Sequence, residues 1–464
     1  MLGCPPRSGV TCALQRYLNR GGSIAGPEVA LGVRKAQDGF VKVLMLGWEF
    51  PPFFAGGVGV VCEALTRALV GRGLEVTYLM PFDPGAAHTP RGMQLLGALP
   101  PGAEVRFSVA PVPGTLLDPY AQTPVGSAAL SAPATQKGGA ALAPSLYGGD
   151  LLGRVDQFAQ DCAALVRERG IHADVIHAHD WTTFRAGALL SRQLGLPLIA
   201  HVHITEYDKS GGDYADPAIW ALEREGMAAA DLVIAVSERV KRFCVERYGI
   251  PAERVRVVYN AVEPGPAPAV VPRVPEPMVL FLGRVTRQKG PGYFLEAARR
   301  VLDAVPEAHF VMAGTGDQLP ELIERAAQLG LSRRFLFSGF VDREQAAALY
   351  MHADVFVMPS ASEPFGIVAL EAMERGVPVI VSRQSGVSEL IRNTLKVDFW
   401  NVEELAASIV AALRYPVLSA ELRRRASSEV RRITWDAVAD RIADLYRVAD
   451  QSRVSGQSLE QAHA

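Results

Sequence analysis

Short, mostly apolar runs alternate with longer stretches of helical spacing along most of this chain. Lys42–Gly47, Asp174–His179, Pro197–His203, Asp231–Val236 and Arg254–Tyr259 are runs of this kind. Each reads as a strand covered on both faces, as in a parallel sheet with helices above and below. The pattern restarts with Val279–Gly283, His309–Gly314, Phe335–Ser338, Asp354–Met358 and Val377–Val381. Strand and helix in regular alternation predict a doubly wound α/β fold.

The two series are separated by prolines. Pro264, Pro266, Pro268, Pro272, Pro275 and Pro277 punctuate Val262–Pro277, the signature of a linker. Residues 1–40 read as an N-terminal extension, 41–262 as a first Rossmann-like domain, 263–277 as the linker and 278–433 as a second such domain. A helix over 434–450 and a tail over 451–464 follow. Within the first domain, residues 83–149 weaken into Ala, Gly, Pro and Ser, which predicts a flexible insertion with one strand near Glu104–Ala110.

A chain of 464 residues is long for one core, which agrees with two domains. A formal net charge of −2 gives no electrostatic footprint for nucleic acid. No apolar run reaches the roughly 18 residues of a membrane span, so no transmembrane segment is expected. Cys4, Cys12, Cys62, Cys162 and Cys244 are scattered without C-x-x-C spacing, which argues against disulfides. The start lacks a continuous apolar signal region, and the expectation is a cytoplasmic enzyme.

Three strand-to-helix junctions carry the candidate chemistry. After the strand at Val355–Pro359, Glu363 falls in a loop, and Glu371 lies eight positions on, inside a helix starting near Gly366. Backbone N–H groups at Phe365, Gly366 and Ile367 would face the crevice where open α/β sheets bind ligands. Two surface carboxylates near a helix start would look the same in isolation. After Met278–Gly283, Arg284 and Lys289 stand in a loop that suits an anion, although ordinary solvated loops are also basic. After Lys42–Gly47, Gly56 and Gly57 open a helix where a backbone can approach a phosphate closely.

Together these elements, with His177-Ala-His-Asp-Trp181, resemble the retaining GT-B glycosyltransferases of family 4, in particular the glycogen-synthase-like branch. The resemblance covers nearly all of residues 41–450 and rests on Glu-x7-Glu, Gly-Arg-x4-Lys-Gly and Gly-Gly-Val-Gly as well. It implies two Rossmann-like domains facing each other across a cleft, with the last helix, at Thr434–Tyr446, crossing back onto the first. Because the cationic loop and both glutamates fall in the second domain and the glycine loop, Asp180 and His203 in the first, the halves are expected to close on the donor, with the hinge near residues 262–277.

By that resemblance Glu363 holds sugar hydroxyls and developing charge, and Glu371 binds the nucleotide ribose. His203 and Asp180 line the sugar site, Arg284 and Lys289 hold the diphosphate with help from Gly56 and Gly57, and Glu206 and Tyr207 shape the acceptor side. No cofactor is implied; the co-substrate is a nucleotide sugar, UDP- or ADP-glucose, with an α-glucan or another glycan as acceptor. The sequence contains no Asp-x-Asp, the element of the metal-dependent glycosyltransferase fold, so metal independence is expected. Ser385-Gly-Val-Ser-Glu389 departs from the common Gly-Gly-x-x-Glu in a loop that commonly faces the base, so base preference stays open.

Other readings stand beside this one. A lipid or cell-envelope glycan could be the acceptor. A nucleotide-sugar epimerase shares the fold, though Glu-x7-Glu argues against it. His177, His179, His201 and His203 alternate on two strands, so each pair shares a face and a metal-dependent hydrolase is conceivable. Buried, hydrogen-bonded histidines are the commoner outcome of that pattern.

Overall fold

The computed structural model describes residues 41–51, 57–81, 93–97, 151–263 and 275–462. The extension over 1–40, the strand read at Glu104–Ala110 and residues 264–274 of the linker lie outside them. So does Gly56.

Two parallel sheets carry the fold. The first comprises β1 Lys42–Leu46, β2 Glu75–Met80, β3 Met93–Gly97, β4 Val175–His179, β5 Leu198–Val202, β6 Leu232–Ala235 and β7 Val255–Val257. Its order is β3-β2-β1-β4-β5-β6-β7. The second comprises β8 Met278–Leu282, β9 His309–Ala313, β10 Phe335–Gly339, β11 Val355–Met358, β12 Val379–Ser382 and β13 Leu395–Val397, ordered β10-β9-β8-β11-β12-β13. Every pairing between these strands is parallel. The doubly wound α/β class read from the alternation is therefore the observed one. In both sheets the order reverses beside the first strand of the domain, which places a ligand crevice at the carboxyl ends of β1/β4 and β8/β11.

The central strands form because their runs bury on both faces. All five residues of β4 and of β5 are buried, as are all four of β11 and β12. The sequence reading missed β2, β3 and β13. The β2 run mixes Glu75 and Thr77 into its apolar positions, β3 falls in the weak-pattern stretch, and β13 is three residues with a lysine at its centre.

The helix Trp435–Ala462 belongs by packing to the first sheet, although it follows the second in sequence. Trp435, Val438, Ala439, Ile442, Leu445 and Tyr446 recur every three or four positions and share a buried cluster with Met45, Val61, Leu65 and Leu69. Among the described residues no single helix is long and apolar enough to cross a membrane.

Backbone and side chains tie the two halves directly. Ser237 Oγ donates to the Pro364 carbonyl at 2.7 Å. The Glu389 carboxylate accepts the Glu238 and Arg239 N–H groups at 2.8 and 2.9 Å, capping the helix Glu238–Glu246 from the other domain. Gly386 sits in this junction. A Cβ there would lie 2.1 Å from the Pro364 oxygen and 2.6 Å from Ser237 Cβ, so only glycine permits the approach.

Candidate functional site

The loop Ser360–Gly366 leaves the carboxyl end of β11 and enters the helix Ile367–Glu374. Gly366, with φ 107°, makes the left-handed turn that starts it. Glu363 is buried, and its backbone is held at both ends: its N–H donates to Gln384 at 3.1 Å and its carbonyl accepts from Gly386 at 2.9 Å. Lys289 Nζ donates to its Oε2 at 2.7 Å, and Ser360 Oγ lies 3.2 Å from the same oxygen. A cation and a carboxylate from loops 74 residues apart thus meet at one point.

This loop of cations is not the exposed loop that the sequence suggested. Arg284 and Lys289 are half-buried, because the segment folds over the end of β11. The Gln288 carbonyl accepts the Ala361 N–H at 2.9 Å, and Arg284 Nη2 donates to Gln288 Oε1 at 3.3 Å. Gly290 allows the crossing: a Cβ there would stand 2.1 Å from the Pro359 oxygen.

Glu371 sits deeper. Tyr350 Oη donates to its Oε2 at 3.0 Å, and burial raises its pKa above the ordinary carboxylate range. It lines a small cavity with Arg343, Ile367, Trp435 and, from the first domain, Val60 and Glu63. The helix opened by Gly57 therefore comes to Glu371, with Gly57 itself exposed. Phe365 is buried and its carbonyl accepts the Val387 N–H at 2.7 Å; Ile367 is half-buried. A larger cavity, about 590 Å³, lies over Arg287, Tyr293, Gln318 and Arg325 and includes none of the predicted site residues.

On the first domain, Asp180 follows β4 with φ 58° and ψ 170°, a conformation that strains any residue with a side chain. The contacts around it hold it there. Its N–H donates to the His201 carbonyl at 2.9 Å, and its Oδ1 accepts the His203 N–H at 2.7 Å. Asp180 thereby fixes the backbone of His203 at the end of β5.

The four histidines form a packed array at the same sheet edge. His177 Nε2 pairs with His201 Nδ1 at 3.1 Å, His179 Nδ1 with His203 Nε2 at 2.8 Å, and Tyr446 Oη with His177 Nδ1 at 2.7 Å. Burial depresses all four pKa values, to about 3 for His177 and His203, so the rings are neutral at pH 7. His177, His179 and His201, and separately Cys62, His179 and His203, each offer ligand atoms within 4.8 Å of one another. His177 and His179 stack at 4.4 Å and His201 and His203 at 4.1 Å, close to parallel. His179 Nε2, His201 Nε2 and His203 Nδ1 are buried without a hydrogen-bond partner among the described residues.

Beyond β5, the helix Glu206–Ser210 is capped by Thr205 and Asp208 in a reciprocal box. Beneath it, Glu223 accepts the Glu206 N–H at 2.9 Å and the Tyr248 hydroxyl. Burial lifts the Glu223 pKa from 4.5 to about 8. The folded chain then keeps a proton that the unfolded chain has lost, so this group's contribution to stability falls as pH rises from about 4.5 through about 8. Glu223→Gln should gain melting temperature over wild type progressively across that window and hold a constant margin above it. Thermal melts at several pH values check this; a pH-independent difference would mean that Glu223 does not titrate there.

Residues 55–265 match the family model for glycosyltransferase family 4, and residues 269–432 match that for glycosyl transferases group 1. A D-inositol 3-phosphate glycosyltransferase of Geodermatophilus obscurus is 33% identical over 332 residues, 64% of this chain and 73% of that protein. The glycogen synthase of Mycobacterium tuberculosis is 27% identical over 429 residues, 88% and 95% of the two chains. The fold is shared with sucrose-phosphate synthase of Thermosynechococcus elongatus, at TM-score 0.68, 21% identity and coverage of 89% of this chain and 100% of that one.

Two Rossmann-like sheets whose strand-end loops meet each other make the GT-B fold. The chain belongs to glycosyltransferase family 4, on the glycogen-synthase-like branch.

The structure brings Lys289 to Glu363, Asp180 to His203, and the Gly57 helix to Glu371. Sequence reasoning missed Ser360, three residues from Glu363 in the same loop, and Tyr350 and Gln288, whose contacts become visible only when separate elements meet.

Proposed function

We propose that this chain transfers a glucosyl group from a nucleotide sugar, UDP- or ADP-glucose, to the hydroxyl of an α-glucan, with retention at the anomeric carbon. The observation that carries this is the Lys289–Glu363 pair, 2.7 Å apart at the carboxyl end of β11, where a doubly wound sheet receives its ligand. Similarity to a glycogen synthase supports the choice of acceptor. The three described cysteines, Cys62, Cys162 and Cys244, are buried and free, which suits the reducing cytoplasm.

In this reading the donor diphosphate draws Lys289 from Glu363 and binds it together with Arg284. The freed carboxylate then faces the sugar, where positive charge grows as the anomeric C–O bond to phosphate breaks. The acceptor oxygen forms the new C–O bond on the same face, and its proton passes to the departing phosphate oxygen. Cationic groups already in place for the leaving diphosphate are the main source of rate enhancement. No divalent ion takes part.

Incubation with each nucleotide glucose and maltodextrin, with and without EDTA, tests the proposal. Nucleoside diphosphate release and glucan extension that ignore EDTA are expected. Activity abolished by EDTA and restored by zinc would move the chemistry to the histidine array. The similarity to a D-inositol 3-phosphate glycosyltransferase favours a second acceptor arm in the same assay, a phosphorylated polyol.

A further inference from the structure

Asp208 and Ser362 stand 154 residues apart in sequence, one in each domain, and both are fully buried. Ser362 Oγ donates to Asp208 Oδ1 at 2.9 Å and accepts from Arg239 Nη2 at 2.8 Å. Arg239 Nε stands 3.8 Å from the same Asp208 oxygen. The other carboxylate oxygen, Oδ2, takes the Thr205 N–H at 3.1 Å and the Thr205 hydroxyl at 2.8 Å, closing the capping box. One carboxylate thus holds the acceptor-side helix with one oxygen and the opposite domain with the other.

The partner across the junction is well placed to matter. Ser362 directly precedes Glu363. Its own N–H and that of Ala361 both lean on the Gln288 carbonyl, at 3.4 and 2.9 Å, one residue before Lys289. A shift at Ser362 therefore moves both members of the Lys289–Glu363 pair. Burial raises the Asp208 pKa and lowers that of Arg239, the cost of desolvating two charges whose ion pair is long. A buried charged cluster spanning two domains fixes a register more than it adds stability.

Resting on the glycosyltransferase reading above, we infer that Asp208, acting through Ser362 and Arg239, is a positioning residue that sets the Glu363 loop against the acceptor-side helix. It touches neither reactant in this scheme. Its effect is to place Glu363 when the acceptor segment Thr205–Ser210 is in position, so that the sugar becomes reactive only beside an acceptor.

Ser362→Ala is the decisive variant. It removes one hydroxyl and leaves Arg239 and Asp208 free to pair with each other, so the fold should hold. Assayed with UDP- or ADP-glucose and maltodextrin, kcat should fall roughly ten- to hundredfold, the range for a hydrogen bond to a charged group, with donor KM within about twofold. Asp208→Asn should fall similarly, and the double variant should be no worse than the poorer single one, since both cut one link. Wild-type kcat in Ser362→Ala, a rise confined to donor KM, or additive losses would each overturn the inference.

A substrate-free arm separates the two readings. Amide hydrogen exchange across 205–210 and 360–365 should quicken in ligand-free Ser362→Ala relative to wild type. If the wild type used neither donor, the proposed activity would fail while exchange still reported on the link. Unchanged exchange in both segments would overturn the link itself.

Discussion

Arg284→Ala and Lys289→Ala should each lower turnover roughly 10²–10³-fold, the loss seen when one charge-stabilising donor is removed from a transition state. Lys289 also bears on stability. Lys289 is the ion-pair partner of a carboxylate whose side chain is only 8% exposed, so its removal strands Glu363. Lys289→Ala should therefore melt lower than wild type, and adding Glu363→Gln should recover the melting temperature but not the activity. Arg284 Nη2 donates to Gln288 Oε1 in the same loop, and its variant is read by turnover. Nucleoside diphosphate release and thermal melts on the same four proteins give both readings. Near-wild-type turnover in both single variants would remove the diphosphate assignment.

Glu363→Ala and Glu371→Gln should separate in kinetics. Glu363 lies in the loop at the end of β11, paired with the cation that the donor is proposed to claim, and in the proposed reaction it acts on the developing charge. Its loss should cost roughly 10²–10³-fold in kcat with a small change in donor KM. Glu371 lies inside the following helix, fixed by Tyr350, and a ribose contact there is equal in ground and transition states. Glu371→Gln should raise donor KM about tenfold or more and leave kcat within a few-fold. Steady-state rates over a range of donor concentrations decide. The opposite pattern would exchange the two roles.

Runs buried on both faces, such as β4, β5 and β11, could be read from sequence, since continuous apolar character survives without knowledge of neighbours. An amphipathic run such as β2 could not, because Glu75 and Thr77 blur it. At the site, residue types and their order within a loop were legible: Glu363 and Glu371, Arg284 and Lys289. Their partners were not. Lys289 meets Glu363 across 74 residues and Ser362 meets Asp208 across 154, and no local spacing encodes either meeting. The strained backbone of Asp180 was equally hidden, because nothing in its neighbours demands a positive φ.

The Glu389 cap has a consequence for ligand entry. The first amides of the helix Glu238–Glu246 find this partner only while the domains touch. Separation would return them to water, and a helix cap is worth about 1 kcal/mol, or about fivefold in a population. The cap thereby biases the free chain toward the domain contact seen here. If the proposed donor enters only when the halves part, its observed affinity is reduced by the fraction of molecules that are open. One carboxylate at a domain junction would then weigh on donor affinity without touching the donor.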